Sequence, residues 1–198
     1  MSRSRTRLST EHRKSLLLEA TCRVIARSGI RGLRVDAVAS AAEVSTTLLY
    51  HYFASRAGLL AATLEFVNDR AESYTRAPDG LLGRARLEHQ LAGEFQDTAE
   101  VRTNSAVWNE FRAAAVFDTG LRASVDEAGR TWTTTIASTI AEGQRDGSID
   151  AGVVPEPAAE RLTVLVEGLS GRWLSELVTT DRAQDHVSAA LAGECPAP

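Results

Sequence analysis

Cysteine is scarce in this chain: only Cys22 and Cys195 occur, near opposite ends and with no ligand-type spacing. A disulfide framework or a zinc site is therefore not expected, and a reducing cytoplasm fits. Cys22 reads as a small apolar residue on a helix, Cys195 as part of a loose tail. Long apolar runs are absent too, none approaching the roughly 18 residues of a membrane span. The basic start, "MSRSRTRLSTEHRK", leads into no apolar stretch of signal-peptide length, so neither export nor a membrane partner is expected. Prolines number five, all after residue 77. No convincing period-2 alternation marks a strand. His12, His51, His89 and His186 are scattered, and there is no Gly-rich phosphate loop, His/Cys cluster or nucleophile elbow. Catalysis is therefore not expected, and neither a metal nor a cofactor is implied.

What is present is charge, unevenly placed. The formal net charge is −4 over 198 residues. Residues 1–60 carry 10 Arg or Lys against 4 Asp or Glu, and the remainder carries 12 against 22. A basic end on an acidic body points the N-terminal part at a polyanion. Arg3, Arg5 and Arg7 sit among too few apolar residues to offset ordering entropy, and are read as an arm that meets nucleic acid electrostatically.

The periodicity is helical throughout. Residues 12–28 place Leu17, Ala20, Val24 and Ile25 on one stripe. Ser9 or Thr10 caps that helix, Glu11 sits at its positive end, and Gly29 stops it. Residues 35–42 give a short second helix with Val35, Val38 and Ala39 inward. Ser45 caps a third over 46–52, and Ser55 a fourth that runs to about Tyr74. "APDG" at 77–80 is a turn. Further helices are expected at about 82–98, 102–116, 121–145, 156–179 and 183–192, with "RDGSIDAGVVPEP" at 145–157 as the clearest loop.

Two short helices joined by "AEV" at 42–44 and braced by a long first helix make a helix-turn-helix, whose third helix enters a DNA major groove. The stretch "VSTTLLYHYF" at 44–53 then divides by face. Val44, Leu49 and Phe53 pack inward. Thr46, Thr47 and His51 reach base edges, threonine offering a hydroxyl to several bases and a methyl to thymine. Tyr50 and Tyr52 place rings in packing and hydroxyls on phosphates, and Ser45 with the free amides of the helix start suits a phosphate as well.

Residues 13–60, through "LLEATCRVIARSGIRGLRVDAVASAAEVS" and "TTLLYHYFASRAGLL", resemble the DNA-binding domain of the TetR family of bacterial repressors, and are most similar to its betaine-responsive branch. The resemblance covers about a quarter of the chain; the rest fits in pattern, through "EGQRDGSI" and "VLVEGLSGRWL". It implies an all-α, TetR-like fold, with a three-helix DNA-binding domain over 9–54 and a helical ligand-binding and dimerisation domain over 55–193. It also implies a ligand-responsive regulator, a repressor that binds a palindromic operator as a homodimer and is released by a small-molecule inducer. Its partners are double-stranded DNA, a second copy of itself and that inducer. Three positions depart from the family pattern. Arg34 stands where a capping Thr is usual and can meet phosphate by charge but cannot cap. Glu43 stands where the turn favours Gly. Arg56 replaces the usual Lys and is expected to keep its phosphate contact.

For the second domain, "LTVLVEGLSGRWLSELV" at 162–178 suits a dimer interface, with Gly168 and Gly171 allowing close approach and Leu165, Leu169 and Trp173 supplying apolar area. An internal core helix would read the same way. By resemblance the ligand pocket lies among helices four to eight. Phe66, Trp108, Phe111, Phe117 and Trp132 are candidates to line it, with Asn109 or Glu110 orienting the ligand. Rings at helical spacing also suit a plain core, and the sequence leaves both open. A helical partner-binding protein without DNA function is the other class that remains, against which the basic first 60 residues argue.

Overall fold

The computed structural model describes residues 9–198, and the expected arm with Arg3, Arg5 and Arg7 lies outside them. The described residues form helices and no strands. In chain order these are α1 (Thr10–Ser28), α2 (Val35–Ala41), α3 (Thr46–Phe53), α4 (Arg56–Thr75), α5 (Gly83–Ala92), α6 (Ala99–Ala115), α7 (Thr119–Arg145), α8 (Pro155–Leu174) and α9 (Thr180–Glu194).

Three of the starts are made by serine. The hydroxyls of Ser9, Ser45 and Ser55 accept from the amides of His12, Leu48 and Gly58 at 3.1, 3.2 and 3.0 Å. Each satisfies a donor that the first turn leaves without a partner. α2 begins at Arg34 with no side-chain cap; its first turn carries Asp36 instead, whose carboxylate is ion-paired to Arg34 at 2.9 Å and accepts from the Ala37 amide.

Two ends fall short of the sequence expectation. α5 stops at Ala92 rather than near 98. Beyond Gly93 the chain folds back, the Gln96 amide donating to the carbonyls of Gly93 and Tyr74. This turn lowers Phe95 into the core, where it meets Trp173 edge-on with ring centroids 5.7 Å apart. α8 stops at Leu174 rather than 179, because Glu176 takes a positive φ of 59° and reverses the chain.

Two apolar clusters hold the helices together. One joins α1, α2 and α3 through Leu17, Ile25, Val38, Leu49 and Phe53, and continues into α4 and α6 through Leu60, Val67, Val107 and Phe111. The other lies among α5, α7, α8 and α9 around Leu91, Ile140, Leu162, Trp173 and Leu191. Packing therefore runs without a break across position 54: the first four helices share a core with α6.

Candidate nucleic-acid interface and sensor interior

α3 is amphipathic in an unusual sense, apolar on one side and hydroxyl-rich on the other. Leu49 and Phe53 are buried, and Val44 is packed against the same cluster. Ser45, Thr46, Thr47, Tyr50 and His51 are exposed, while Tyr52 is half-buried. Its ring meets His51 in a T-shaped contact at 5.6 Å and packs on the cluster, leaving the outer face to the threonines and the imidazole. Thr47 and His51, four residues apart, project from one side of the helix.

The loop between α1 and α2 is fixed from two directions. Arg56, at the start of α4, donates to the Ile30 carbonyl at 2.6 Å and to that of Leu33 at 3.4 Å. Glu110, on α6, accepts from the Ile30 amide at 2.9 Å. Gly29 turns at a φ of 69°, where any side chain would be strained, and a Cβ there would lie 2.7 Å from the Glu110 carboxylate, which would have to shift. Arg31 lies over the Phe117 ring at 4.5 Å. Arg56 thus has an internal role that its sequence position did not announce.

Of the seven residues expected to line one pocket, Phe111, Phe66 and Trp108 share the first apolar cluster, while the others lie apart from them. Glu110 and exposed Phe117 are at the junction just described. Phe111 is fully buried in the cluster shared with the first helices. Phe66 borders an open groove between α1, α4 and α6, beneath Arg70, which is paired with Glu100 at 3.0 Å. Asn109 donates to the Ser170 hydroxyl at 2.8 Å, tying α6 to α8. Trp132 packs on the second cluster. Of the seven, Trp108 faces the polar interior, where the Arg112 guanidinium lies 5.7 Å from its ring.

That interior holds groups the sequence reading passed over. The Tyr74 hydroxyl donates to Glu94 at 3.1 Å. Asn104, 1% exposed, donates to the Val67 carbonyl at 2.9 Å and to the Tyr74 oxygen at 3.1 Å. Burial pushes the Glu94 carboxyl up to about 7, and burial likewise raises the Tyr74 phenol and lowers the Arg112 guanidinium from its ordinary value. Arg112 reaches Glu167 of α8 at 3.8 Å. Asn104, Trp108 and Arg112 recur every four residues along α6, a helical stripe of polar and amphipathic residues that was the available signal.

The expected interface on α8 needs correction. Trp173 is 1% exposed, and its indole N–H donates to the Thr180 hydroxyl inside the protomer. Leu169 is buried and Leu165 is packed against the same core. Gly171 is half-buried beside Asn109. Helical periodicity puts 162, 166, 169 and 173 on the inner stripe. The outer stripe is Val164, 62% exposed, with Gly168, beside which an added Cβ would meet nothing.

A braced trihelical unit displaying a polar third helix, set on a helical domain with a charged interior, defines a helix-turn-helix regulator. Residues 17–63 match the model of bacterial regulatory proteins of the tetR family, and residues 83–196 match that of the BetI-type transcriptional repressor C-terminal domain. A TetR-family transcriptional regulator from Rhodococcus sp. is similar at 42% identity and a TM-score of 0.88, over 93% of this chain and 99% of that one. The HTH-type transcriptional regulator BetI of Burkholderia mallei is 34% identical over 115 residues, 57% of this chain; the chain spans 59% of that relative's length. A transcriptional regulator from Saccharomonospora viridis, solved in complex with choline, shares the fold at 23% identity and a TM-score of 0.78, over 94% and 98% of the two chains. The chain belongs to the TetR family of bacterial regulatory proteins, with a C-terminal domain of the BetI type. Its relatives are transcriptional regulators and not enzymes. No helix among the described residues is long and apolar enough to cross a membrane.

Proposed function

We propose that this protein is a cytoplasmic repressor that binds a palindromic operator as a homodimer and releases it when a small molecule enters the second domain. The carrying observation is α3: a capped helix on an apolar base, with Thr46, Thr47, Tyr50 and His51 exposed on the opposite face. Thr47 and His51 read bases; Ser45, Tyr50, Tyr52 and Arg34 meet phosphates, as does any part of Arg56 that its two carbonyl contacts leave free. The DNA-binding domain is taken as 9–54 and the sensor as 55–193. The dimer forms through the outer face of α8, Val164 and Gly168, with exposed Ala189 and Ala192 of α9, which the Arg161–Glu194 ion pair holds alongside. Two recognition helices then sit roughly 34–36 Å apart, one turn of duplex.

Selection of bound duplexes from a random pool tests this reading. A palindrome is expected, and His51→Ala is expected to cost about 1–3 kcal/mol at one or two positions of it while relaxing preference there. A protein that is monomeric at micromolar concentration and enriches no sequence would overturn the reading.

A further inference from the structure

Resting on the reading of the chain as a dimeric operator binder, we infer that Glu110 and Phe117 are positioning residues for duplex recognition. They tie the recognition helix to the second domain, and so set how strictly the protein measures the spacing between two half-sites.

The tie is built on one residue. Ile30, 3% exposed, is gripped at both ends: its amide donates to the Glu110 carboxylate of α6 at 2.9 Å, and its carbonyl accepts from the Arg56 guanidinium at 2.6 Å. The same carbonyl accepts from the Leu33 amide at 3.2 Å, closing a turn whose last carbonyl, that of Leu33, also accepts from Arg56. α2 starts just after this turn, at Val35. Arg56 is the first residue of α4, three positions beyond the end of α3. One guanidinium thus joins the approach to α2 with the start of α4, two helices that pack on α3. The corner between α3 and α4 gives little play. Ala54 is held at a φ of 58°, and the Ser55 hydroxyl caps α4 on the Gly58 amide at 3.0 Å. A residue with a Cβ stays at such a φ only where its surroundings over-determine it. A fixed corner passes the position of Arg56 on to α3.

A second contact reaches the same turn. Arg31 lies over the Phe117 ring at 4.5 Å, and Phe117, just past the end of α6, is 76% exposed. α6 and the turn after it therefore hold two successive residues of the loop. The apolar core that α6 shares with α1 and α4 is non-directional and lets helices slide; the hydrogen bonds at Ile30 fix the angle. In a dimer joined through its second domains, the orientation of each α3 to its own second domain fixes the separation of the two. One base pair more or less between half-sites moves one of them about 3.4 Å and turns it about 35° around the duplex. A stiff tie converts that misfit into lost affinity, and a slack one absorbs it.

The test uses the full chain. Its operator is selected from a random pool, and binding is measured to that operator, to versions with one base pair added to or removed from the centre, and to a random duplex. Wild type is expected to bind the respaced operators at least about tenfold more weakly than the original. In Glu110→Ala that ratio is expected to shrink to about threefold or less. Its random-duplex affinity is expected to stay within about twofold of wild type, because non-specific binding is electrostatic and Glu110 is turned to the loop. Glu110→Gln loses the charge but keeps an oxygen for the Ile30 amide, and is expected to restore the wild-type ratio. Phe117→Ala is expected to shrink the ratio by less; removing an exposed ring leaves no core cavity, so this variant carries the test alone if Glu110→Ala fails to fold. Loss of folded protein lowers every affinity alike and leaves the ratio untouched, which separates orientation from stability. An unchanged ratio in every folded Ala variant, a Gln variant as slack as the Ala one, or a wild type indifferent to spacing overturns the inference. A wild type that selects no palindrome overturns the operator reading itself.

Discussion

In α3 the side chains able to hydrogen-bond lie outside and the apolar ones inside; in α6 polar Asn104 and Ser105 are buried among the apolar residues. Thr46, Thr47 and His51 are exposed over buried Leu49 and Phe53. Asn104 is 1% exposed, and Arg112 is half-buried, while Ala113 beside it faces outward. A polar group kept in water carries no desolvation cost until its partner arrives, which suits a surface that meets DNA. A polar group taken inside must be paired, and one left unpaired marks a place where a partner is expected. The two helices thus handle the same kind of chemistry in opposite ways: one keeps it in water, where a polymer can approach it, and the other takes it inside, where the protomer itself must supply the partners.

The largest effect separates the inner and outer stripes of α8. Trp173→Ala removes an indole packed on Phe95 and bonded to Thr180, and is expected to cost about 3–5 kcal/mol in urea unfolding. Val164→Ala changes a residue 62% exposed and is expected to shift protomer stability by under about 0.5 kcal/mol, while weakening self-association in sedimentation. A Trp173 variant of unchanged stability would remove it from the core.

Glu94 distinguishes the enclosed carboxylate from the exposed ones. Its carboxyl, ordinarily near 4.5, is held at about 7 by burial, so between those values the folded chain keeps a proton that the unfolded chain gives up. Its contribution to stability is full below about 4.5, falls as pH rises through about 7, and is level above. Exposed Asp36, lowered by its hydrogen bond with Arg34, behaves oppositely, losing stability as pH falls. The difference between wild type and Glu94→Gln in unfolding free energy, measured from pH 4 to 8, isolates the first effect. A flat difference curve means the Glu94 carboxyl is solvated.

These contrasts show what a linear sequence carries. The serine caps, the turn at 42–44 and the faces of α3 depend on residues within a few positions of one another, and were legible. So was the outline of every helix, apart from the ends of α5 and α8, where Phe95 and Glu176 answer to tertiary packing. The contact of Glu110 with Ile30 spans 80 positions and that of Asn104 with Tyr74 spans 30. Nothing local announces either, so Glu110 reads as a ligand group when its partner is a backbone amide. The Trp173 stripe failed differently: glycines drew attention to one face of α8 while the aromatic belonged to the other.

Glu110 joins α6 to the loop between α1 and α2, and its loss is expected to be felt in that loop rather than in the core of the second domain. Glu110→Ala leaves the Ile30 amide without its acceptor, at about 1–3 kcal/mol locally, whereas Glu110→Gln retains an oxygen and is expected to cost less. Amide exchange at Ile30 reads this directly: faster in the Ala variant, near wild type in the Gln variant. Equal exchange in all three would place the protection of that loop on Arg56 alone.

The smallest expected effect lies in the turn itself, where the exposed polar surface includes one group of the wrong sign. Glu43 has a φ of 55°, a conformation that L side chains with a Cβ adopt at a cost. Glu43→Gly removes that cost but adds freedom to the unfolded chain, so the net gain is expected to be below about 1 kcal/mol. The same change removes a carboxylate from the rim of the proposed DNA face, where it repels phosphate without reading a base. Affinity for all duplexes is therefore expected to rise by a similar factor, more at low salt than at high, with base preference unaltered. Melting temperature and binding to operator and random duplex at several salt concentrations check both parts. A Gly variant that melts lower would show that the Glu43 side chain stabilises the turn. One that changes base preference would make Glu43 a reader of sequence, and would move the edge of the contact surface from α3 into the turn before it.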